Sequence, residues 1–279
     1  MLTDTKCRIE TVLTSEQMIP PKSDTQPIWL LCAWSRPEMV GNVVANYQRQ
    51  RKSNCRLAVA VTHDSVTAQY DLRHHVRDAL ILTPPGKHQS IAKNALLKAI
   101  LPGEKWATFD DDDYYGEWYA SEISSAIQPG LIVGKSQTFV TTSDNRLRLI
   151  DFHKVECSEV KHFLHGATLG GIAEETLAIG GFQKENERFG EDLDLLARWQ
   201  KQGGKLYATS KFHYCWNRRQ DGKDHTFDGS DYMLVQRGPG ALEFRGEVDY
   251  DIVDGKRSLS ECYDRFIPSR NYLIEKELR

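Results

Sequence analysis

Short apolar runs alternate with stretches of helical periodicity over the first ~110 residues, and this alternation narrows the possible folds more than any other feature of the chain. Ile28 to Trp34 reads as a buried strand and Pro37 to Arg49 as a helix entered through a turn. Arg56 to Thr62 is the next strand and ends at His63-Asp64-Ser65; Ala79 to Thr83 is a short third strand, stopped by Pro84-Pro85-Gly86. Gln89 to Ile100 carries apolar residues at helical spacing, and after Pro102-Gly103 the strand Trp106 to Phe109 runs straight into Asp110, Asp111, Asp112 and Asp113. Strands that alternate with helices imply an α/β fold with a parallel sheet covered on both faces. Such sheets bind ligands beyond the carboxyl ends of their strands. Ser35-Arg36, Asp64-Ser65 and the four aspartates each follow a predicted strand, so three strands deliver polar groups to one edge.

The second half is less regular. Leu131 to Val140 and Arg146 to Phe152 read as strands joined by a turn at Ser143-Asp144-Asn145, and Phe163 to Ile172 as an extended segment. Ala173 to Ile179 reads as a short helix ended by Gly180-Gly181, Glu191 to Lys201 as a helix closed by Gly203-Gly204, and Lys205 to Ala208 as a strand. Beyond Asn217 the chain turns polar and glycine-rich, with a late helix over Ser258 to Phe266.

Composition removes several function classes. A net charge of −3 gives no global basic field of the kind that announces nucleic-acid binding, though it leaves room for a local basic patch. The six cysteines are scattered with no C-x-x-C pair, which argues against a zinc knuckle or a dithiol redox site. No apolar stretch approaches the ~20 residues that span a bilayer, and Met1 to Asp24 lacks the apolar core of a signal peptide. The expectation is a cytoplasmic protein without an integral membrane segment.

Four consecutive carboxylates at a strand end repel one another by about 1 kcal/mol per close exposed pair. A divalent cation offsets that repulsion directly, because hard cations such as Mg²⁺ take one or two carboxylates and share the rest of their shell with phosphate oxygens and water. The competing reading is a solvated acidic turn; its place behind an apolar strand favours the ion.

Phe109-Asp110-Asp111-Asp112-Asp113-Tyr114-Tyr115 resembles the D-x-D signature of GT-A-type glycosyltransferases, in particular those of family 2. Ser35-Arg36-Pro37 is similar to that family's turn after the first strand, although Ser35 stands where Asn is common; Asp64-Ser65 is similar to its second strand ending, and Lys93-Asn94 to its basic-Asn pair. Downstream, Gly166-Ala167-Thr168 and Gly190-Glu191-Asp192-Leu193-Asp194 match its small-residue segment and its E-D helix start. The resemblance spans Ile28 to Arg219. It implies a Rossmann-like GT-A fold over residues 27–225, with a nucleotide-sugar half over 27–115 and an acceptor half over 116–225, flanked by a polar extension over 1–26 and a C-terminal extension over 226–279 that packs on the domain.

The resemblance also implies roles. Ser35, Arg36, Asp64, Lys93, Asn94, Asp110 and Asp111 line the donor site, with Asp64 on the nucleobase, Arg36 at the nucleoside and Asp110 on ribose or metal-bound water. For Asp111 and Asp113 the other reading is that they only shape the turn. Asp112 ligates a Mn²⁺ or Mg²⁺ ion that bridges the two phosphates. Asp192, beside Glu191, takes the acceptor's proton as general base at a helix N-terminus, where the macrodipole favours a carboxylate; ordinary helix-start charge is the competing reading. His213 and His225 are both candidates for a further metal ligand, each with a structural histidine as its alternative. Tyr214, Trp216, Arg218 and Arg219 form an aromatic and basic cluster that could grip diphosphate or acceptor, with a half-buried strand edge as its alternative, and Trp118 and His165 are candidates for the floor of the sugar site.

The expected activity is inverting transfer of a sugar from a nucleoside-diphosphate sugar, with UDP the default on family grounds, to a hydroxyl acceptor. A polysaccharide, a protein side chain and a modified nucleic acid all stay open as acceptors. The alternatives are a nucleotidyltransferase, disfavoured because Trp34-Ser35-Arg36-Pro37 lacks a glycine-rich phosphate loop, and a non-catalytic GT-A-like protein that binds a saccharide or a partner.

Overall fold

The computed structural model describes residues 26–50, 53–141, 147–151, 155–161, 163–183, 190–217, 242–244, 248–257 and 266–268. β1 (Ile28–Trp34) leads through a 3-10 turn at Pro37–Met39 into α1 (Val40–Arg49). The proline both opens that turn and cannot continue a strand. There follow β2 (Cys55–Val61), α2 (Val66–His75), β3 (Leu80–Leu82), α3 (Gln89–Ala99) and β4 (Lys105–Thr108). β3, β2, β1 and β4 lie side by side in that order, all parallel. The helix between β3 and β4 therefore carries the chain back across β2 and β1, and the strand order reverses between β1 and β4. That reversal opens a crevice at the carboxyl ends of β1 and β4, the place where open α/β sheets bind ligands.

Period-2 alternation along β1 decides which helices cover which face. Leu30, Cys32 and Trp34 pack with Val43 and Val44 of α1 and Leu72 of α2, while Leu31 and Ala33 pack with Ala92, Leu96 and Leu97 of α3. All of these are buried, so the sheet is apolar on both sides.

Past the acidic residues come β5 (Tyr114–Tyr115), α4 (Tyr119–Ala126), β6 (Leu131–Gly134), β7 (Gln137–Thr141), β8 (Leu147–Asp151) and β9 (Ser158–Val160). A second 3-10 turn, Gly166–Thr168, precedes β10 (Gly170–Ile172), α5 (Ala173–Ala178), α6 (Glu191–Lys201), β11 (Lys205–Ala208) and β12 (Tyr214–Asn217). β10 joins β4 antiparallel and extends the first sheet through β6, β11 and β9, making it mixed. A second sheet runs β14-β13-β8-β7-β12-β5, where β13 (Leu242–Phe244) and β14 (Phe266–Pro268) flank α7 (Tyr250–Val253) in sequence.

Three expectations change. The run Leu131 to Val140 is two strands in different sheets, because Lys135 and Ser136 break it; Lys135 is wholly buried, with Nζ 2.7 Å from Glu122 Oε2 and 2.8 Å from the Ser210 carbonyl. Phe163 to Ile172 is a 3-10 turn followed by a three-residue strand instead of one extended run. Phe266 begins β14, so the late helix does not reach it, and residues 258–265 of that expectation lie outside the described residues, as do Ser143, Asp144 and Asn145.

Candidate active site

Because β1, β2 and β4 are parallel, Ser35-Arg36, His63-Asp64-Ser65 and the acidic turn leave the sheet at the same edge. The four aspartates do different things there. Asp111, 1 % exposed, points back under β1: one carboxylate oxygen accepts the backbone N–H groups of Ser35 at 3.1 Å and Arg36 at 3.2 Å. Its other oxygen accepts Arg36 Nε at 3.0 Å and also Nη2. Arg36 then reaches Asp112 through Nη1, 2.8 Å from Oδ2, so one guanidinium straddles two neighbouring carboxylates. This is the fork geometry that arginine supplies and lysine cannot.

Asp113 faces the second sheet, where it accepts the Tyr214 hydroxyl at 2.6 Å and the Asn217 N–H at 3.0 Å. Burial, with Asp112 and Asp110 adding to it, holds its carboxyl well above the usual range. The backbone of the turn is cradled from α1: Asn42 donates to the carbonyls of Asp111 and Asp113 at 2.8 and 2.9 Å, and Asn46 to that of Asp113 at 2.8 Å. Neither asparagine is needed for the helix itself. Both satisfy carbonyls that a tight acidic turn would otherwise leave buried and unpaired.

Asp110 is tied to the other half of the site. Its N–H donates to the Tyr115 hydroxyl at 2.8 Å, which in turn donates to the Ala167 carbonyl at 2.9 Å. Thr108 holds the same turn through a hydrogen bond from its hydroxyl to the Gly166 carbonyl at 3.1 Å. Against Gly166 lies Asp192: a Cβ at Gly166 would sit 2.0 Å from Asp192 Oδ2, and one at Gly190 2.5 Å from Oδ1. Two glycines thus clear the space for this carboxylate. Burial raises the Asp192 carboxyl above its ordinary range, the nearby Lys93 charge opposes that, and the Leu193 N–H donates to Oδ1 at 2.9 Å. Burial likewise raises Asp110 while Lys93 opposes it.

Lys93 is buried and its ammonium stands 3.1 Å from Glu191 Oε1. Asn94 donates to the Phe182 carbonyl at 2.6 Å and accepts the Phe182 N–H at 2.8 Å. Asp64 is exposed at the rim, 3.4 Å from Lys87. Beside it His63 packs edge-on to Trp34 with centroids 4.3 Å apart, a contact that no local sequence pattern signals.

The described charged neighbour of His213 is Asp254, not an aspartate of the acidic turn. It is buried at φ 65°, with Nδ1 3.7 Å from Asp254 Oδ1, and its N–H donates to the Val253 carbonyl at 2.7 Å. The residues of this segment that reach the acidic turn are instead Tyr214 and Asn217. His225, Arg218 and Arg219 lie outside the described residues. His165 is buried against Tyr214 and Trp216, centroids 5.2 and 5.0 Å away, and burial pushes its pKa down to about 4. Trp118 precedes α4 and is half-buried.

Asp110 to Asp113, Glu191 and Asp192 put six carboxylates around this crevice together with the cations of Arg36 and Lys93. Among the described residues no group of three or more His, Cys, Asp or Glu side chains converges to enclose an ion by itself. Asp111 and Asp113 are held by Arg36, Ser35, Tyr214 and Asn217, and Asp112 also pairs with Arg36 at 2.8 Å. Asp110 and Asp112 are the candidate carboxylates for a hard divalent cation, which commonly takes one or two carboxylates and completes its shell with phosphate and water.

No protein-family profile matches the chain. No curated protein matches it in sequence. In three dimensions it is similar to a mannosyltransferase, PcManGT from Pyrobaculum calidifontis, solved in complex with GDP-Man and Mn²⁺. The TM-score is 0.55 at 12% sequence identity, over 77% of this chain and 63% of the mannosyltransferase. The chain therefore has a glycosyltransferase fold, a mixed α/β architecture, without family 2 being singled out. No helix among the described residues is long and apolar enough to cross a membrane.

Proposed function

We propose that this protein is a divalent-metal-dependent glycosyltransferase that moves a sugar from a nucleoside-diphosphate sugar to a hydroxyl acceptor with inversion at the anomeric carbon. The observation that carries this reading is the meeting of two carboxylate sites across one crevice: the acidic turn at the β1/β4 reversal and Asp192 at the start of α6, joined through Tyr115, the Gly166–Thr168 turn and Lys93. The fold supports it, and the mannosyltransferase of similar fold holds GDP-Man and Mn²⁺.

In this reading Asp112, with Asp110 beside it, would hold the cation, and the chemistry such an ion would supply is stabilisation of the charge that develops on the departing diphosphate. Arg36 contributes a permanent positive charge on the same side and offsets the repulsion between Asp111 and Asp112. Asp192 accepts the proton of the acceptor hydroxyl as its oxygen bonds to the anomeric carbon, while the bond from that carbon to the diphosphate oxygen breaks and its electron pair leaves with the diphosphate. A carboxyl raised by burial is a stronger base than a solvated one, which suits this task.

The test is sugar transfer and donor hydrolysis with Mn²⁺, across UDP- and GDP-sugars, comparing the natural protein with Asp112→Ala and Asp192→Asn. Both variants are expected to lose about 100-fold or more in turnover, and calorimetry should show nucleotide binding that depends on the metal. Undiminished turnover in both variants would sink the assignment.

A further inference from the structure

Lys93 and Asn94 are consecutive on α3; Asn94 meets Phe182, and Lys93 meets Glu191. Asn94 closes both backbone hydrogen bonds of Phe182, and Gly181, at φ 65°, brings its backbone so close that a Cβ there would lie 2.2 Å from Asn94 Oδ1. The Lys93 ammonium stands 3.1 Å from Glu191, the first residue of α6, and 5.2 Å from the Phe182 ring centroid. Lys93 thus ties the first residue of α6 to α3. Asp192 is the next residue, and its two oxygens already abut Gly166 and Gly190.

We propose that Lys93 is a positioning residue for the transfer reaction: through Glu191 it fixes the carboxylate of Asp192 against Gly166 and does not grip the sugar nucleotide. This rests on the reading of Asp192 as the base. The Lys93 side chain is 4 % exposed, so there is little surface through which a ligand could reach it. Burial disfavours its charge, but Glu191, Asp110 and Asp192 together raise its pKa, so it stays a cation across the working pH range. The charged groups around Asp192 are Lys93 from α3, Glu191 on its own helix and, acting on that pair, Asp110 from the acidic turn and His88 before α3; His165 adjoins Gly166. Lys93 favours the ionised Asp192, and Glu191 opposes it.

Removal of the two partners must then act in opposite directions. Lys93→Met is expected to raise the pKa of Asp192 by about one unit or more, moving the acidic limb of the kcat profile upward, with nucleotide Kd kept within about threefold because no donor contact is lost. Glu191→Gln is expected to move that limb downward. The same shifts are read without turnover by carbon NMR titration of labelled aspartate carboxyls, with Asp192→Asn identifying the resonance. Shifts of opposite sign with unchanged nucleotide affinity support the positioning role even if no sugar is transferred, which would count against the transferase reading alone. An unmoved Asp192 titration together with a nucleotide Kd raised about tenfold in Lys93→Met would overturn it. If Lys93→Met fails to fold, Glu191→Gln decides: a downward shift supports the role, and no shift or an upward one refutes it.

Discussion

Removing the Asp111 carboxylate should damage the fold far more than the binding of any ligand. In Asp111→Ala the N–H groups of Ser35 and Arg36 lose their acceptor, and Arg36 loses the Nε and Nη2 contacts that hold its guanidinium under the turn. Breaking a buried hydrogen-bonded ion pair from one side costs about 3–5 kcal/mol, since the partner charge stays behind. Arg36 retains its contact with Asp112 at 2.8 Å, which places the expected loss toward the lower end. In a chain of this size that corresponds to a fall in Tm on the order of 10 °C. Asp112→Ala leaves the Asp111 clamp whole and should cost about 1–2 kcal/mol, while removing the carboxylate assigned to the metal. Urea unfolding followed by circular dichroism measures both variants, and an Arg36→Ala/Asp111→Ala cycle should return a coupling of about 2 kcal/mol or more. A loss below about 1 kcal/mol in Asp111→Ala, or equal losses in the two aspartate variants, would mean that β1's exit is held by other contacts.

Gly166→Ala places a methyl group 2.0 Å from Asp192 Oδ2, so the carboxylate must move. Misplacing a reacting group by about 1 Å costs roughly 100-fold in turnover, and this variant should show that loss with a near-native circular dichroism spectrum. His165 sets part of the acid sensitivity. Its pKa falls from 6.5 in the unfolded chain to about 4 in the fold, so between these values the unfolded state binds the extra proton and stability drops as pH falls. The full effect is about 3 kcal/mol at most, and His165→Phe should flatten the stability profile between pH 6.5 and 4, as followed by urea midpoints at each pH.

Much of the architecture was legible because its signals are local. Ile28–Trp34, Glu191–Lys201 and Lys205–Ala208 fall at the residues read from apolar runs, a helix-start acidic pair and closing glycines. α2 was not legible, since Ala68 and Leu72 are its buried residues while Val66 and Tyr70 are exposed, leaving too thin an apolar stripe to read. The split of Leu131 to Val140 depended on Lys135 finding Glu122 and the Ser210 carbonyl, partners that no local pattern announces.

By itself the sequence determined that a run of carboxylates would stand at a strand end beside an arginine, because strand, turn and charge are all encoded within a few neighbouring residues. Tertiary structure alone decided how those carboxylates divide their work. Asp111 is spent on Arg36, 75 positions away, Asp113 on Tyr214, 101 away, and Glu191 meets Lys93 across 98. His213, a metal candidate by residue type, faces Asp254 instead. Contacts over such separations form only when both sheets close, since burial is what makes each polar group seek a partner and packing is what chooses which one it finds.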